Sequence, residues 1–254
     1  MEYSRLEIEI GEGIGRIWLN RPEKRNALDR TLVEELRSAV EEMIAEDEVR
    51  VIVLGGHGPA FCAGADLEYL KRMAEFTVTD NMEDSAALAL TLKTIHESPK
   101  PTIARVHGPA IAGGCGLATV CDIVIAAEEA SFGYTEVRIG FIPAIVMAFL
   151  IRKVPQMRSR ELLLSGRIIG AREAYDRGLV TTVTGAGELD ATVNETAATI
   201  ARASSSAVRM TKEMLNALDG MPLPSALDYA SRMNALARLT PDCQRGIAKF
   251  LDKD

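Results

Sequence analysis

Apolar and charged residues alternate at the beginning of the chain, which is the pattern of a half-exposed β-strand. Leu6, Ile8 and Ile10 are separated by single glutamates. A glycine-containing turn follows, and a second run of residues that favour strands covers Ile14–Leu19. Two such runs joined by a short turn predict an antiparallel hairpin. The chain is therefore expected to begin with two paired strands.

Helical and buried-strand patterns alternate in the residues that follow. Continuous aliphatic runs at 49–54, 102–106 and 122–127 predict buried strands, and a helical pattern covers 81–96. Strands that alternate with helices indicate an α/β core in which sheets pack on helices. Asp29 is placed to cap one of these helices, whose apolar stripe consists of Leu32, Val33, Leu36, Val40, Met43 and Ile44.

After residue 144 the pattern is mostly helical. We divide the chain into a mixed core over residues 1–187 and an apolar helical region over residues 188–254. The second region is expected to pack on the core or on another subunit. Residues 179–183 have an extended pattern, whereas helical spacing covers 144–154, 157–164, 171–177, 189–203, 207–218 and 225–239.

The composition argues against several classes of protein. With 29 Lys and Arg against 36 Asp and Glu, the chain is acidic, and it has no basic run that would bind nucleic-acid phosphates. None of the four cysteines belongs to a Cys-x-x-Cys pair, so neither a zinc site nor a disulfide framework is expected. The longest apolar run, residues 139–151, is too short to span a membrane. The first residues lack a signal-peptide pattern, and we expect a cytoplasmic protein.

Two glycine-rich loops are the first candidates for chemistry. Residues 55–67 and residues 107–116 each follow a predicted buried strand and lead into a helix. Backbone N–H groups at such turns can bind an anion, and two of them converging on one oxygen would form an oxyanion hole. On glycine content alone, tight connections between strands and helices are the better explanation. The spacings of a P-loop, a dinucleotide-binding loop and a serine-hydrolase nucleophile are absent.

A carboxylate, Glu136, lies in a segment otherwise rich in apolar residues. It stands between Phe132 and Phe141 in the stretch SFGYTEVRIGFIP. Apolar surroundings raise the pKa of a carboxyl group toward the working pH, which suits general acid and base catalysis. The alternative is a structural glutamate that caps a helix or pairs with Arg138. The residues of this segment alone favour that alternative.

Four motifs in a fixed order carry a stronger signal than any one of them. RPEKRNAL, FCAGADL, HGPAIAGGCGLATVCDIVIA and SFGYTEVRIGFIP follow one another along the chain. In order and spacing they resemble the enoyl-CoA hydratase/isomerase family, also called the crotonase superfamily, over essentially the whole chain. The resemblance implies a spiral of ββα units with a helical C-terminal region used for trimer formation. It also implies a homotrimer or homohexamer and an acyl-CoA thioester as substrate.

The resemblance also implies roles for particular residues. The backbone N–H groups of Ala63 and Gly113 would bind the thioester oxygen, and Glu136 would be the catalytic acid and base. Phe250 and Lys253 match a C-terminal pair that reaches a neighbouring subunit's site. No metal and no separate cofactor are expected, because coenzyme A is part of the substrate. The residues expected to bind coenzyme A are Lys24, Arg25, Ala27, Ala65, Asp66, Leu67, Phe250 and Lys253.

One position departs from the family pattern. Well-known hydratases of the family carry a second glutamate three residues after the oxyanion glycine, and this chain has Gly116 there. We expect an enoyl-CoA hydratase that adds water syn across the double bond. The alternatives are a Δ3,Δ2-enoyl-CoA isomerase with Glu136 as sole proton shuttle, and a non-catalytic acyl-CoA-binding member. Tyr134 is a candidate partner of a water or of the thioester, and candidate replacements for the missing acid are Glu68, Glu83 and Asp84.

Overall fold

The computed structural model describes residues 3–252. Its strands are β1 (Leu6–Gly11), β2 (Ile14–Leu19), β3 (Val51–Gly56), β4 (Thr102–Val106), β5 (Ala110–Ile111), β6 (Ile123–Ala127), β7 (Ser131–Gly133), β8 (Ile169–Gly170) and β9 (Thr182–Thr184). Its helices are α1 (Arg30–Ala45), α2 (Leu67–Met73), α3 (Val78–Glu97), α4 (Gly113–Val120), α5 (Ala144–Lys153), α6 (Gln156–Ser165), α7 (Ala171–Asp176), α8 (Leu189–Arg202), α9 (Ser205–Leu218), α10 (Leu223–Ala237) and α11 (Pro241–Leu251).

The larger sheet has six strands in the order β1-β2-β3-β4-β6-β9. β1 pairs antiparallel with β2, with Leu6 opposite Leu19, which confirms the predicted hairpin. The other neighbours in this sheet run parallel. A second sheet contains β5, β7 and β8. The sequence does not predict these three strands, because runs of two or three residues carry almost no periodicity.

Both faces of the larger sheet are covered, as the continuous apolar runs predict. Successive side chains of a strand point to opposite faces. Ile52 and Leu54 of β3 therefore belong to one core cluster, with α1, α3 and α4, while Val51 and Val53 belong to a second cluster, with α8. The α/β class expected from the sequence is confirmed. α8 packs on the sheet, although it lies beyond residue 187, and the division of the chain there stays a prediction.

Capping residues determine where two helices, α2 and α3, begin. Asp66 accepts hydrogen bonds from the N–H groups of Glu68 and Tyr69 and begins α2, a helix that the sequence did not predict. Thr77 and Asp80 form a reciprocal capping box, so that α3 begins three residues before the predicted start at residue 81. Side chains that satisfy free N–H groups at a helix start stabilise that start.

The C-terminal helices α9, α10 and α11 contain no buried large apolar residue apart from Met210. α9 contacts both α10 and α11 and is anchored to the core by Lys212, whose ammonium lies 2.7 Å from Asp122. α11 lies beyond the last predicted helix. Among residues 3–252, no helix is long and apolar enough to cross a membrane. All four cysteines are free thiols.

Candidate active site

The two glycine-rich loops run side by side and are joined by hydrogen bonds. The N–H of Cys62 donates to the carbonyl of Pro109 at 3.1 Å, and the N–H of Ile111 donates to the carbonyl of Cys62 at 3.0 Å. At the base of the loops, His107 Nε2 lies 2.9 Å from the carbonyl oxygen of Gly58. The first loop leaves β3 and the second leaves β4, which are neighbouring strands. The ladder between the loops fixes their relative positions.

Glycine is required where the loops approach each other most closely. A Cβ atom on Gly114 would lie 2.2 Å from the carbonyl oxygen of Cys62, which is shorter than any real contact. A Cβ atom on Gly64 would lie 2.9 Å from the carbonyl oxygen of Ile111, and Gly64 also has φ +91°. These two glycines therefore serve close backbone packing and a left-handed turn. For these two glycines, the explanation that the loops are tight connections between strands and helices is therefore correct.

The N–H groups of the two loops differ in whether they are free. The N–H of Ala63 donates to the carbonyl of Arg25 at 3.0 Å, so it already has an acceptor. The N–H of Ala65 has no acceptor within residues 3–252. Gly113 is the first residue of α4, and an N–H at that position has no partner inside the helix. Ala65 and Gly113 directly follow Gly64 and Ala112, whose Cβ positions would be 3.1 Å apart.

Two residues that the sequence analysis did not single out hold the first loop in place. Asn26 is fully buried, and its amide donates to the carbonyls of His57 and Ala60 at 2.9 and 2.8 Å. Arg21 is also buried and pairs with Asp66 at 2.9 Å and with Asp29 at 3.2 Å. Both belong to the motif RPEKRNAL. The position of this motif in the ordered set is the signal in the sequence that could have identified them.

Glu136 is the first residue of a 3-10 turn, Glu136–Ile139, which is separated from the end of β7 by residues 134–135. Its Oε2 atom is buried and has no hydrogen-bond partner, which is true of no other carboxylate in residues 3–252. Burial raises the pKa of this carboxyl above 4.5. Arg138 forms no ion pair within the described part of the chain, and the residue before the turn is Thr135. Glu136 is therefore neither the residue that precedes the turn nor the partner of Arg138 in an ion pair.

The sequence analysis expected Tyr134 to contact a ligand in the site, but the structure buries its side chain in the core. Its ring is fully buried, and its hydroxyl lies 2.6 Å from the hydroxyl of Thr119 in α4. The prediction that Tyr134 contacts a water or the thioester is wrong, because its hydroxyl is used inside the core. The contact instead ties α4 to the segment that carries Glu136.

Three other acids were considered as replacements for a second glutamate. Glu68 lies 2.9 Å from the ammonium of Lys24. Asp84 accepts a hydrogen bond from the hydroxyl of Tyr69. Glu83 lines a cavity of about 610 Å³ that does not include Glu136, and the other residues around that cavity are Arg5, Asp29, Arg30, Thr31, Tyr69, Arg72, Phe76 and Asp80. The structure brings none of these three acids to Glu136.

The residues expected to bind coenzyme A lie on three elements. Lys24 and Arg25 follow one another on the loop after β2, and Arg25 has φ +52°. The carbonyl of Ala27 accepts a hydrogen bond from Arg21. Leu67 is 76% exposed at the start of α2, and Phe250 is 74% exposed on α11. Lys253 lies outside the described residues.

Asp66 has a structural role in addition to its expected place beside coenzyme A. Burial by itself would raise the pKa of its carboxyl group. Hydrogen bonds from the N–H groups of Glu68 and Tyr69 and from Arg21 nevertheless hold the pKa of Asp66 below its usual value. A charged Asp66 therefore caps α2 and pairs with Arg21.

Comparison with known proteins identifies the family of the chain. The sequence profile of the enoyl-CoA hydratase/isomerase family matches residues 9–254. The chain belongs to the enoyl-CoA hydratase/isomerase family. A putative enoyl-CoA hydratase of Thermus thermophilus is 40% identical over 248 residues, which cover 98% of each chain. A probable enoyl-CoA hydratase of Mycobacterium bovis is 36% identical over 254 residues, covering 100% of this chain and 97% of the relative.

Solved structures of family members have the same fold. A putative enoyl-CoA hydratase/isomerase (crotonase) from Legionella pneumophila superposes with a TM-score of 0.93 at 35% identity, covering 100% of this chain and 98% of its own. An enoyl-CoA hydratase from Shewanella pealeana gives a TM-score of 0.95 at 28% identity, covering 99% and 95%. The crotonase-like architecture expected from the sequence is confirmed. A role of the C-terminal helices in trimer formation stays a prediction.

Position 116, where the sequence departs from the family pattern, packs against another helix in the structure. A Cβ atom on Gly116 would lie 2.2 Å from Cγ1 of Val146 in α5. The space that a side chain at position 116 would enter is therefore filled. Glu136, with its unpaired Oε2 atom, lies shortly after β7, which pairs with β5 of the second loop.

Proposed function

We propose that the protein is an enoyl-CoA hydratase that adds water to a 2-enoyl-CoA thioester and forms a 3-hydroxyacyl-CoA. The observation that carries the proposal is the buried and unpaired Oε2 atom of Glu136 in a member of this family. Burial raises the pKa of Glu136, which makes its carboxylate a stronger base that can accept a proton and return it. A chain that only bound acyl-CoA would gain nothing from such a group, because an unpaired buried carboxylate is destabilising.

The oxyanion hole in this proposal consists of the N–H groups of Ala65 and Gly113. The N–H of Ala63, which the sequence analysis favoured, is replaced by that of Ala65, because the Ala63 N–H donates to Arg25. Gly113 begins α4, and the helix dipole favours negative charge at that end. Fixed donors directed at an oxygen that gains charge stabilise the transition state without reorganisation.

The reaction needs one carboxylate that acts twice. Glu136 takes a proton from a water molecule while the water oxygen bonds to the β carbon of the substrate. The electron pair of the double bond moves toward the thioester oxygen, and the resulting enolate is held by the two N–H groups. The proton on Glu136 then passes to the α carbon and the thioester re-forms. Both new bonds form on the side that faces Glu136, which gives syn addition.

Coenzyme A binding belongs to the same proposal. Lys24 or Arg25 would meet its phosphates, with Ala27 beside them, and the backbone of residues 65–67 would hold the adenine. Phe250 and Lys253 of a neighbouring subunit would complete the site. Exposed apolar residues of the last three helices and of the turn before α11 support assembly into a homotrimer or homohexamer: Leu215, Leu223, Leu227, Leu236, Leu239, Ile247, Phe250 and Leu251. A cytoplasmic enzyme of fatty-acid β-oxidation fits this activity.

The test is a pair of assays on the purified wild-type protein. Crotonyl-CoA is followed by the loss of enoyl-thioester absorbance, and a 3-enoyl-CoA is followed by the gain of that absorbance. Loss with crotonyl-CoA is the expected result. Gain with the 3-enoyl-CoA and no loss with crotonyl-CoA would replace the hydratase by an isomerase. No change with either substrate would overturn both activities.

A further inference from the structure

Position 116 lies on the same face of α4 as the proposed oxyanion donor. Gly113 and Gly116 are three residues apart in one helix, and residues at that spacing are neighbours on the helix surface. Gly116 is buried. The direction in which a side chain would leave Gly116 leads to Val146, whose Cγ1 and Cβ atoms would lie 2.2 and 3.0 Å from a Cβ atom. Leu92 Cδ1 would lie 3.9 Å away.

Val146 cannot easily give way to such a side chain. It is 3% exposed and belongs to the main core cluster, together with Leu92 and Cys115. It is the third residue of α5, and a β-branched side chain in a helix has one strongly preferred rotamer. α4 and α5 pack directly on each other. A larger residue at position 116 therefore requires either a smaller residue at position 146 or a shift of α5.

We propose that Val146 fills the space into which a side chain at position 116 would project, so that a second carboxylate could act from position 116 only if residue 146 were smaller. This inference rests on the proposed function. It means that residues 116 and 146 act as one coupled pair, in which a carboxylate at position 116 and a valine at position 146 exclude each other. The atoms that a side chain at position 116 would meet first are apolar and belong to Val146 and Leu92.

The test compares four proteins: wild type, Gly116→Glu, Val146→Gly and the double variant. Thermal unfolding and the pH profile of kcat/KM with crotonyl-CoA are measured for each. Gly116→Glu alone should lower the melting temperature by about 5 °C or more, because it overpacks the core. It should also lower kcat/KM. The kcat/KM of the double variant should be about tenfold higher than that of Gly116→Glu. The double variant should also unfold at a higher temperature than Gly116→Glu, although each single change is destabilising.

The pH profile separates a role in the reaction from a role in packing alone. A second carboxylate beside the substrate should add an ionisation to the acid side of the kcat/KM profile of the double variant. Val146→Gly by itself should keep the single ionisation of the wild type. A double variant that folds normally and keeps a single ionisation would show that position 116 does not reach the reaction, which would overturn the proposal.

Val40→Gly is the matched control for the cavity. Val40 is 2% exposed, lies in the same core cluster on helix α1 and does not contact Gly116. Combining Val40→Gly with Gly116→Glu should add the two losses and rescue nothing. Equal rescue by Val40→Gly, or a Gly116→Glu protein as stable and active as wild type, would overturn the coupling. If the changes at positions 116 and 146 have coupled effects on the unfolding temperature but the wild type does not turn over crotonyl-CoA, the proposed hydratase activity is refuted and the packing relationship is not.

Discussion

His107 and Gly58 join the two loops of the site at their bases, with the imidazole Nε2 lying 2.9 Å from the carbonyl oxygen. A carbonyl oxygen only accepts, so Nε2 carries the proton in this contact. Burial lowers the pKa of His107, which keeps the ring neutral near pH 7. The same loops carry the N–H groups of Ala65 and Gly113, whose separation must match one oxygen atom. The histidine is thus expected to help set the geometry of the proposed oxyanion hole without being one of its donors.

His107→Ala should lower kcat for crotonyl-CoA by about tenfold with little change in KM, because small displacements of fixed donors weaken transition-state binding. His57→Ala is the matched control. His57 begins the first loop, but its ring bonds to Glu7 and not to the second loop. Steady-state kinetics of both variants decide the question. Equal losses in the two variants would show that the contact with Gly58 has no special role.

Gly113→Pro should lower kcat/KM by about a hundredfold or more, since it removes one of the two donors to the oxyanion. Proline is accepted at the first position of a helix, which is where Gly113 stands in α4. Gly113→Ala keeps the N–H, and its Cβ would meet only the flexible end of Leu28 at 2.9 Å. Kinetics of the two variants, with thermal unfolding to establish folding, form the comparison. Full activity in a folded Gly113→Pro protein would exclude this donor.

Asn26→Ala should lower the free energy of unfolding by about 3 kcal/mol, because it leaves buried partners without hydrogen bonds. Its amide bonds the carbonyls of His57 and Ala60, and its Oδ1 accepts from the N–H of Arg21. Asn194→Ala removes one exposed bond to Arg16 and should change the stability by less than about 0.5 kcal/mol. Urea unfolding of both variants measures the difference. A similar small effect at both positions would show that the loop is held by other contacts.

The sequence predicted the fold, whereas the choice between neighbouring backbone N–H groups is not visible in it. Periodicity predicted β1, β2 and α1, and the ordered motifs predicted the crotonase-like architecture. Ala63 and Ala65 have the same side chain, so no residue pattern distinguishes which N–H is free. The answer depends on the carbonyl of Arg25, which the left-handed turn at Arg25 and Asn26 brings to Ala63.

Contacts between distant segments were also invisible in the sequence. Tyr134 stands two residues before Glu136, yet its hydroxyl bonds Thr119 inside the core. In the sequence, Gly116 shows only that the second glutamate of the family pattern is missing. Its meaning appears only when α5 is packed on α4 and Val146 is found in the space beside it. Such relationships depend on tertiary packing and not on local pattern.

The raised pKa of Glu136 predicts opposite effects of pH on activity and on stability. Activity requires the carboxylate, so kcat/KM should fall as the pH decreases, with a midpoint above 4.5. Because burial disfavours the charged form, the stabilising contribution of a neutral Glu136 is complete below the unfolded-state pKa and is lost as the pH rises through the folded-state pKa. Glu136→Gln should therefore melt at a higher temperature than wild type at pH 7. A midpoint at or below 4.5, or equal melting temperatures at pH 7, would contradict this prediction.

The central claim is that Glu136 alone performs the proton transfers, and hydration of crotonyl-CoA by Glu136→Gln tests it most directly. Glu129→Gln, a change of the same kind at an exposed position, is the control. We predict that Glu136→Gln loses activity by a factor of about a hundred to ten thousand while Glu129→Gln matches wild type. A folded Glu136→Gln protein that hydrates crotonyl-CoA within a few-fold of wild type would mean that the acting acid lies elsewhere.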